Sequence, residues 1–404
     1  MKIFNWRLNT KKREIIQQGI DYNPKVQYVT SASLGMKIAA VYRAVSLISD
    51  SIGSLPLVYK RRDKALNYFK PYDKGPGSAL YNILISRSNY KQTSFILFKN
   101  LVMQVLLSGN AYAYLRRDNE GMPEELILFS PYSVFYDVWS NTYVVEDNIN
   151  CIHGMFSASE ILHFKNTCMD GGYNGLSTIH FAAETLGIAS TANRETLTRF
   201  ANGGKIKGIL QNKGGAEGQG FTNYAGTELD KTADNLQSKF NSGSDIVALQ
   251  GDGTFSQISL SSVDMQFLES RKFTITEIAR FFNMPKAKLF DDSNANYKSS
   301  EMSTVEFYAD CLSPIMTMIE NEFQSKLIPL SLQQDYKFKY EVSKLYTTDL
   351  TTKSNYQSKQ ISNGLQSVND IRREEDLPPI DGGDTVFISC NVAPINSKKI
   401  SGES

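Results

Sequence analysis

Apolar residues recur at helical spacing in several stretches of the chain. Val41, Val45, Ile48 and Ile52 fall at i, i+4, i+7 and i+11, which predicts a helix over about Ala39 to Ile52. Gly53 and Pro56 stop it, and LVYK then reads as a short strand. A second amphipathic helix is predicted from about Thr93 to Leu107, ended by Gly109 and Asn110. The pattern then changes to strands. AYAYLRR and EELILF flank the turn residues Asp118, Asn119 and Gly121, which predicts a hairpin. SVFYDV, TYVVE and EILHFK continue it as a β-meander, so the middle region reads as an α+β domain built on one sheet.

Beyond this block the helical period returns. Ser177 stands where a cap would start a helix over about Thr178 to Phe200, and Asn202, Gly203 and Gly204 would end it. KIKGIL reads as a strand, Thr227 as the cap of a short helix, and DIVALQGDGTFSQISL as a hairpin turning at Asp252 and Gly253. A further helix is predicted from about Asp264 to Phe282, with Leu268, Ile275, Ala279 and Phe282 on one face. The next runs from about Lys298 to Leu327 on Met302, Val305, Leu312, Met316, Ile319 and Phe323. Pro314 lies inside it and opposes the carbonyl of Asp310, which predicts a kink. Between these two helices, Pro285 to Tyr297 is polar and rich in small residues and asparagine. Loops of this length in compact proteins are usually functional or disordered. DYKFKYEVSKL reads as a late strand able to rejoin the early sheet, Thr351 to Asp376 has helical content, and LPPIDGGD is a rigid turn. Residues 1 to about 30 read as a polar arm, and the last fourteen or so as a loose tail.

Composition narrows the function more by exclusion than by assignment. The hydrophobic fraction is 41% and the charged fraction 21%, as in ordinary folded proteins. Formal net charge is +1, without the basic excess of a protein that grips nucleic acid by its phosphates. Cys151, Cys168, Cys311 and Cys390 are far apart, which fits a reducing compartment. The N-terminus carries no apolar signal core, and NLVMQVLLSGNAYAYL is too short and polar to span a bilayer, so a cytoplasmic protein without membrane contact is expected. No catalytic motif is present, and the expectation is a protein that is not an enzyme. GGKIKG lacks the ending and the strand–helix context of a phosphate loop. DGGYNGLS could offer backbone N–H groups to an anion, but a connector with a helix cap is the simpler reading. Cys151, His153, His163 and Cys168 lack the spacing of a zinc site, and no metal or other cofactor is expected.

Five stretches, in this order, resemble the portal proteins of tailed bacteriophages and related prophages. They are AVYRAVSLISDSIGSLPL (Ala40 to Leu57), LLSGNAYAYLRRDNEGMPEELILFSP (Leu106 to Pro131), ILHFKN with DGGYNGLSTI (Ile161 to Ile179), VDMQFLESRKFTITEIARFFNMP (Val263 to Pro285) and GLQSVNDIRREEDLPPIDGGD (Gly364 to Asp384). The resemblance implies an α+β portal fold and a ring, usually of twelve subunits, at one capsid vertex, through which double-stranded DNA enters and leaves. It implies an N-terminal arm (1–30), a wing (31–176), a first stem helix (177–203), a clip (204–263), a second stem helix (264–284) and a tunnel loop (285–297). A channel-lining helix (298–327), a wing return strand (328–350), a crown (351–390) and a flexible tail (391–404) would complete it.

The implied partners are further copies of the chain, DNA in transit, the terminase large subunit, a head–tail adaptor, and the major capsid and scaffold proteins. The implied location is the virion's portal vertex, with assembly in the host cytoplasm. On this reading Lys286, Lys288, Asp291, Asp292, Asn294 and Asn296 face DNA from the loop. Lys298, Glu301, Glu306 and Asp310 line the channel. Lys298 and Lys326 against Glu301, Glu306, Asp310, Glu320 and Glu322 give the long helix a formal balance of minus three, which repeated around a ring would make an acidic wall. Such a wall would let a duplex pass without capturing it. Apolar stem residues, Phe267 and Phe273 among them, would pack between subunits. Two other readings fit less of the chain. One is a non-ring structural adaptor; the other is a phosphate-handling enzyme using DGGYNGLS with Lys165 and Lys205.

Overall fold

Helix α2 (Ala39–Gly53) shows why the apolar spacing matters. In the computed structural model Val41, Val45, Ile48 and Ile52 are all fully buried, on the face that lies against α4 (Ser94–Ser108). The structure describes residues 28–63, 68–72, 76–201, 208–212, 234, 253–257, 272–289, 297–342, 350–375 and 377–387. A one-turn helix, α1 (Ala32–Gly35), precedes α2, and α3 (Pro76–Tyr81) runs into a π-helical turn, Asn82–Ser86, before α4. Thr93 caps α4 by accepting the N–H of Ile96, and Gly109 ends it in the left-handed region at φ +83°. A Cβ at Gly109 would lie 2.4 Å from the carbonyl oxygen of Gly175, so only glycine lets these two backbones meet.

Strands β3 (Asn110–Arg117) and β4 (Pro123–Phe129) form the expected hairpin, with Tyr114 opposite Ile127. The expected single meander does not form. Strands β5 (Val134–Asp137), β6 (Thr142–Asp147) and β7 (Ile152–Ser157) make a separate three-stranded sheet. Strand β8 (Ile161–Lys165) leaves that series and pairs antiparallel with β3, giving the order β4-β3-β8. The burial of β8 explains the switch. Ile161 through Phe164 are all buried, so this strand needs cover on both faces, whereas β7 has three exposed residues in a row. Tyr112, Ile127, Phe129, Val134, Tyr143, Val145 and Ile161 form a small second core that joins the two sheets.

A third sheet has the order β11-β1-β2, from β1 (Leu57–Asp63), β2 (Tyr68–Pro71) and β11 (Tyr336–Tyr340). The late strand thus returns to an early part of the chain, pairing with β1, with Leu57 opposite Tyr340 and Tyr59 opposite Phe338. Ser177 caps a helix as expected, but Ala182 interrupts it. A short α5 (Thr178–Phe181) is followed by α6 (Ala183–Ala201). Strand β9 (Gly208–Asn212) pairs antiparallel with β10 (Gly253–Gln257). The turn expected at Asp252 falls outside the described residues, as does most of 202–271.

Helix α7 spans 272–281, and the long helix comes next as α8 (Tyr297–Glu306), a π-helical stretch (Phe307–Leu312) and α9 (Ser313–Leu327). Phe323 on α9 is fully buried, with its ring 5.8 Å from that of Phe164 and 5.5 Å from that of Phe338. Truncating an aromatic in such a place costs about 3–5 kcal/mol. Helices α10 (Leu350–Ser362) and α11 (Val368–Glu374) end the described chain, α11 being started by a capping box of Ser367 and Asp370. The turn after α11 folds back on it, because buried Asn369 exchanges side-chain hydrogen bonds with the backbone N–H and C=O of Ile380.

Candidate functional site

The long helix and the segment before it are held by two different sets of contacts. Helix α7 buries Ile278 and Ala279, and the chain leaves it through Asn283, whose φ of +49° is the left-handed turn that reverses direction. Met284 is buried, and Lys286–Leu289 form a 3-10 turn. The two lysines of this turn diverge. Lys286 is exposed. Lys288 reaches back to α8, donating from Nζ to Thr304 Oγ1 at 2.9 Å, while its carbonyl accepts from Arg43 Nε of α2 at 3.3 Å. Burial, with the nearby Arg43 charge, holds its ammonium pKa below the usual lysine value. Asp291, Asp292, Asn294 and Asn296 lie outside the described residues. Lys298 and Glu301 sit in the first turns of α8, at the end nearest the loop.

Glu306 and Asp310, one turn apart, are both exposed. Asp310 lies in the π-helical stretch that leads to the anchored part of the helix, where the N–H of Ser313 bonds to the carbonyl of Tyr308. Pro314 explains its place. Proline lacks an N–H and would strike the carbonyl of Asp310 in an α-helix, and the wider π turn moves that carbonyl away. Cys311 packs in this stretch with Sγ 3.2 Å from the carbonyl oxygen of Phe282, and burial, with the neighbouring Asp310, pushes its thiol up to about 12.

Helix α9 is a splice between two sheets. On one side Glu320 Oε1 accepts the N–H of Tyr340 at 2.9 Å. Gln324, one turn on, accepts the N–H of Phe338 and donates to the carbonyl of Tyr336. These two side chains satisfy the outer edge of β11, as a further strand would. On the opposite side Glu322 Oε1 accepts the N–H of His163 in β8 at 2.8 Å, and Lys326 Nζ donates to the carbonyl of Ala158. Burial raises the Glu322 carboxyl above its usual range, an effect its hydrogen bond and the nearby lysines partly offset.

This overturns part of the acidic wall expected from charge counting. Glu320 is buried against Lys339 and β11, and half-buried Glu322 is bonded to β8, so neither belongs to an exposed acidic face. Glu306 and Asp310 remain as exposed acids on this helix. Sequence reading missed the four-residue anchor because spacing of two looks like solvated charge on a helix. The signal available was two polar pairs, Glu320 with Gln324 and Glu322 with Lys326, each at i, i+4.

The remaining candidates resolve into structure. DGGYNGLS is spoken for internally. Asp170 accepts the N–H groups of Tyr173 and Asn174, Lys165 donates to the carbonyl of Gly172, and Ser177 caps α5. His163 is buried between Tyr143 and Asn110. Among the described residues no group of His, Cys, Asp and Glu could hold a metal ion, and no helix is long and apolar enough to cross a membrane. Large apolar side chains do stand in the open on the helices: Ile188 and Leu197 on α6, Phe273 on α7, and Met302 and Val305 on α8. Phe267 lies outside the described residues.

Comparison with known proteins points one way. Residues 39–376 match the family described as phage portal protein. The portal protein of Enterobacteria phage HK97 is 27% identical over 371 residues, covering 89% of this chain and 83% of that one. Among solved structures, the neck of an empty gene transfer agent particle, computed with C6 symmetry, aligns with a TM-score of 0.56 at 20% identity. That alignment covers 86% of this chain and 93% of that one. An HK97-family phage portal protein from Corynebacterium diphtheriae aligns with a TM-score of 0.55 at 18% identity, over 80% of this chain and 99% of that one. With the mixed helix-and-sheet architecture in common and a match over most of its length, this chain belongs to the phage portal protein family.

Proposed function

We propose that copies of this chain close into a ring at one vertex of a capsid, forming the channel for double-stranded DNA and a docking platform for packaging and tail proteins. The family match over residues 39–376 carries this reading. A head-to-tail contact repeated by rotation closes a ring without leaving an unpaired surface. The exposed apolar residues on α6, α7 and α8 supply material for such contacts. In this reading the three sheets with α2 and α4 are the wing, α6 and α7 the stem, the β9–β10 pair part of the clip, and α10 and α11 the crown.

The segment 285–297 and α8 face the axis, while α9 fixes the helix to the wing. Lys286 is the exposed cation of the described part of the loop, and Glu306 and Asp310 supply negative charge along the wall. Few cations and several acids let a duplex slide, because every firm phosphate contact adds drag. The terminase large subunit and a head–tail adaptor bind the clip end. Capsid and scaffold proteins meet the wing, and assembly takes place in the host cytoplasm.

Negative-stain microscopy of the purified full chain tests the ring. Closed rings with an axial hole are the expected result. Monomers or open arcs at every concentration would support the non-ring adaptor instead.

A further inference from the structure

Strand β4 is an edge strand of the β4-β3-β8 sheet. Ile127 and Phe129 face β3 across hydrogen-bonded pairs, so the backbone groups of Leu126 and Leu128 point the other way. Those of Leu126 are taken, the N–H by the carbonyl of Ser88 and the C=O by the amide of Asn89. Those of Leu128 have no hydrogen-bond partner among the described residues. They open on a groove made of two adjoining cavities, of about 370 and 180 Å³, both lined by Leu128 and Ser130. The wall of the larger cavity is a face of α4, with Met103 and Leu107 beside Asn100 and Gln104, and Tyr132 closes the far side. The side-chain oxygen of Gln104 is buried there without a hydrogen-bond partner. An unpaired strand-edge residue beside apolar walls suits an extended peptide added to the sheet.

The chain itself supplies a matching segment. Ile3, Phe4, Trp6 and Leu8 crowd apolar side chains into its first eight residues, ahead of the polar run from Asn9 to Glu14. Ala32 lines the groove, so the chain enters the described fold at the groove's rim. The 23 residues between Leu8 and Ala32 can span up to roughly 80 Å extended, far more than the groove requires. Tethering also raises the local concentration of the segment to about the millimolar range, so weak intrinsic affinity suffices.

We propose that residues Ile3–Leu8 dock in this groove as an added strand on the β4 edge of the same chain. In that position the Leu128 backbone is paired and apolar side chains fill the space over Met103 and Leu107.

Trp6 and Trp139 are the two tryptophans, and Trp139 is 98% exposed, so Trp139→Phe in the full-length protein leaves Trp6 as the sole reporter. Docking predicts blue-shifted Trp6 emission, with acrylamide quenching several-fold weaker than for Trp139. It further predicts that Met103→Arg, which puts a charge in the groove, returns Trp6 to exposed behaviour while the circular dichroism of the fold is kept. The shielding must persist on dilution to monomers. Exposed emission from the start, shielding indifferent to Met103→Arg, or shielding lost on dilution would each overturn the proposal. A second measurement reads the groove. Deleting residues 2–9 should speed hydrogen exchange of the peptide carrying Leu128 about tenfold and leave β3 unchanged. Equal exchange in both proteins would also overturn it.

Discussion

His163 shows how one buried side chain ties acid sensitivity to the packing of the fold. Asn110 Oδ1 accepts the N–H of Gly175 and sits 2.9 Å from His163 Nε2, so Nε2 carries the proton. Nδ1 is then the acceptor for the Tyr143 hydroxyl, 3.0 Å away. A protonated ring would give Asn110 nothing more and would strip Tyr143 of its acceptor. Burial, with the charges of Lys165 and Lys326, pushes the His163 pKa down to about 3, against 6.5 for the unperturbed group. Between these values the unfolded chain binds a proton that the folded chain refuses, so the fold loses stability as pH falls below 6.5. From pH 7 to pH 5 this one group accounts for about 2 kcal/mol of lost stability. His163→Gln removes the titration. Its denaturation free energy should fall less than the wild type's over that interval, by about the same 2 kcal/mol. Parallel pH profiles for the two proteins would mean that His163 titrates normally in the fold. The sequence showed that His163 lies in an apolar strand; it could not show which partners fix its tautomer, because Asn110, Tyr143 and Gly175 are brought together only by tertiary structure.

At the scale of elements, α9 makes a prediction that charge counting does not. Glu320→Ala strands the N–H of Tyr340 at the edge of β11, which should cost about 1–3 kcal/mol. Glu320→Gln keeps an acceptor and should recover most of that loss, although it gives up the ion pair with Lys339. If both variants lose equally in denaturant unfolding, the ion pair and not the edge contact holds the helix. The same element marks the limit of sequence reading. Helices α2, α4 and α9 were legible because their apolar faces repeat with the helical period and end at glycine or proline. That the late strand DYKFKYEVSKL could return to an early sheet was legible from its strand-like pattern; that its partner is β1 was not. The transfer of β8 to β3 was not, since strand order depends on which faces need cover and periodicity reads only one strand at a time. Pro314 reads in the sequence as a kink; what precedes it in the structure is a π turn from Phe307 to Leu312, which depends on the packing of Phe307, Cys311 and Leu312. Of the candidate site, Asp291, Asp292, Asn294 and Asn296 fall outside the described residues, while Lys288 proves to be tied to Thr304.

The whole molecule is decided by surfaces that a single copy leaves bare. Leu197 on α6 and Phe273 on α7 are 69% and 62% exposed, on the two helices assigned to the stem. In one subunit, replacing both with aspartate costs little, since exposed positions away from caps and cores change stability by about 0.5 kcal/mol or less. In a ring the same change acts at every contact. Each interface loses the burial of two large apolar side chains, about 1.5–3 kcal/mol apiece, and must also desolvate two carboxylates. A ring closes only if all its interfaces form, so a defect repeated around it is multiplied by the number of subunits. The Leu197→Asp, Phe273→Asp double variant should therefore run as monomers or short arcs in size-exclusion chromatography with light scattering. Its far-ultraviolet circular dichroism and melting temperature should stay close to those of wild-type monomer. Intact rings from this variant would place both helices away from the subunit contacts, and a collapsed melting temperature would place these side chains within the subunit's own packing. Loss of the ring with the fold preserved is the combination expected when many weak, identical contacts around an axis hold the assembly together.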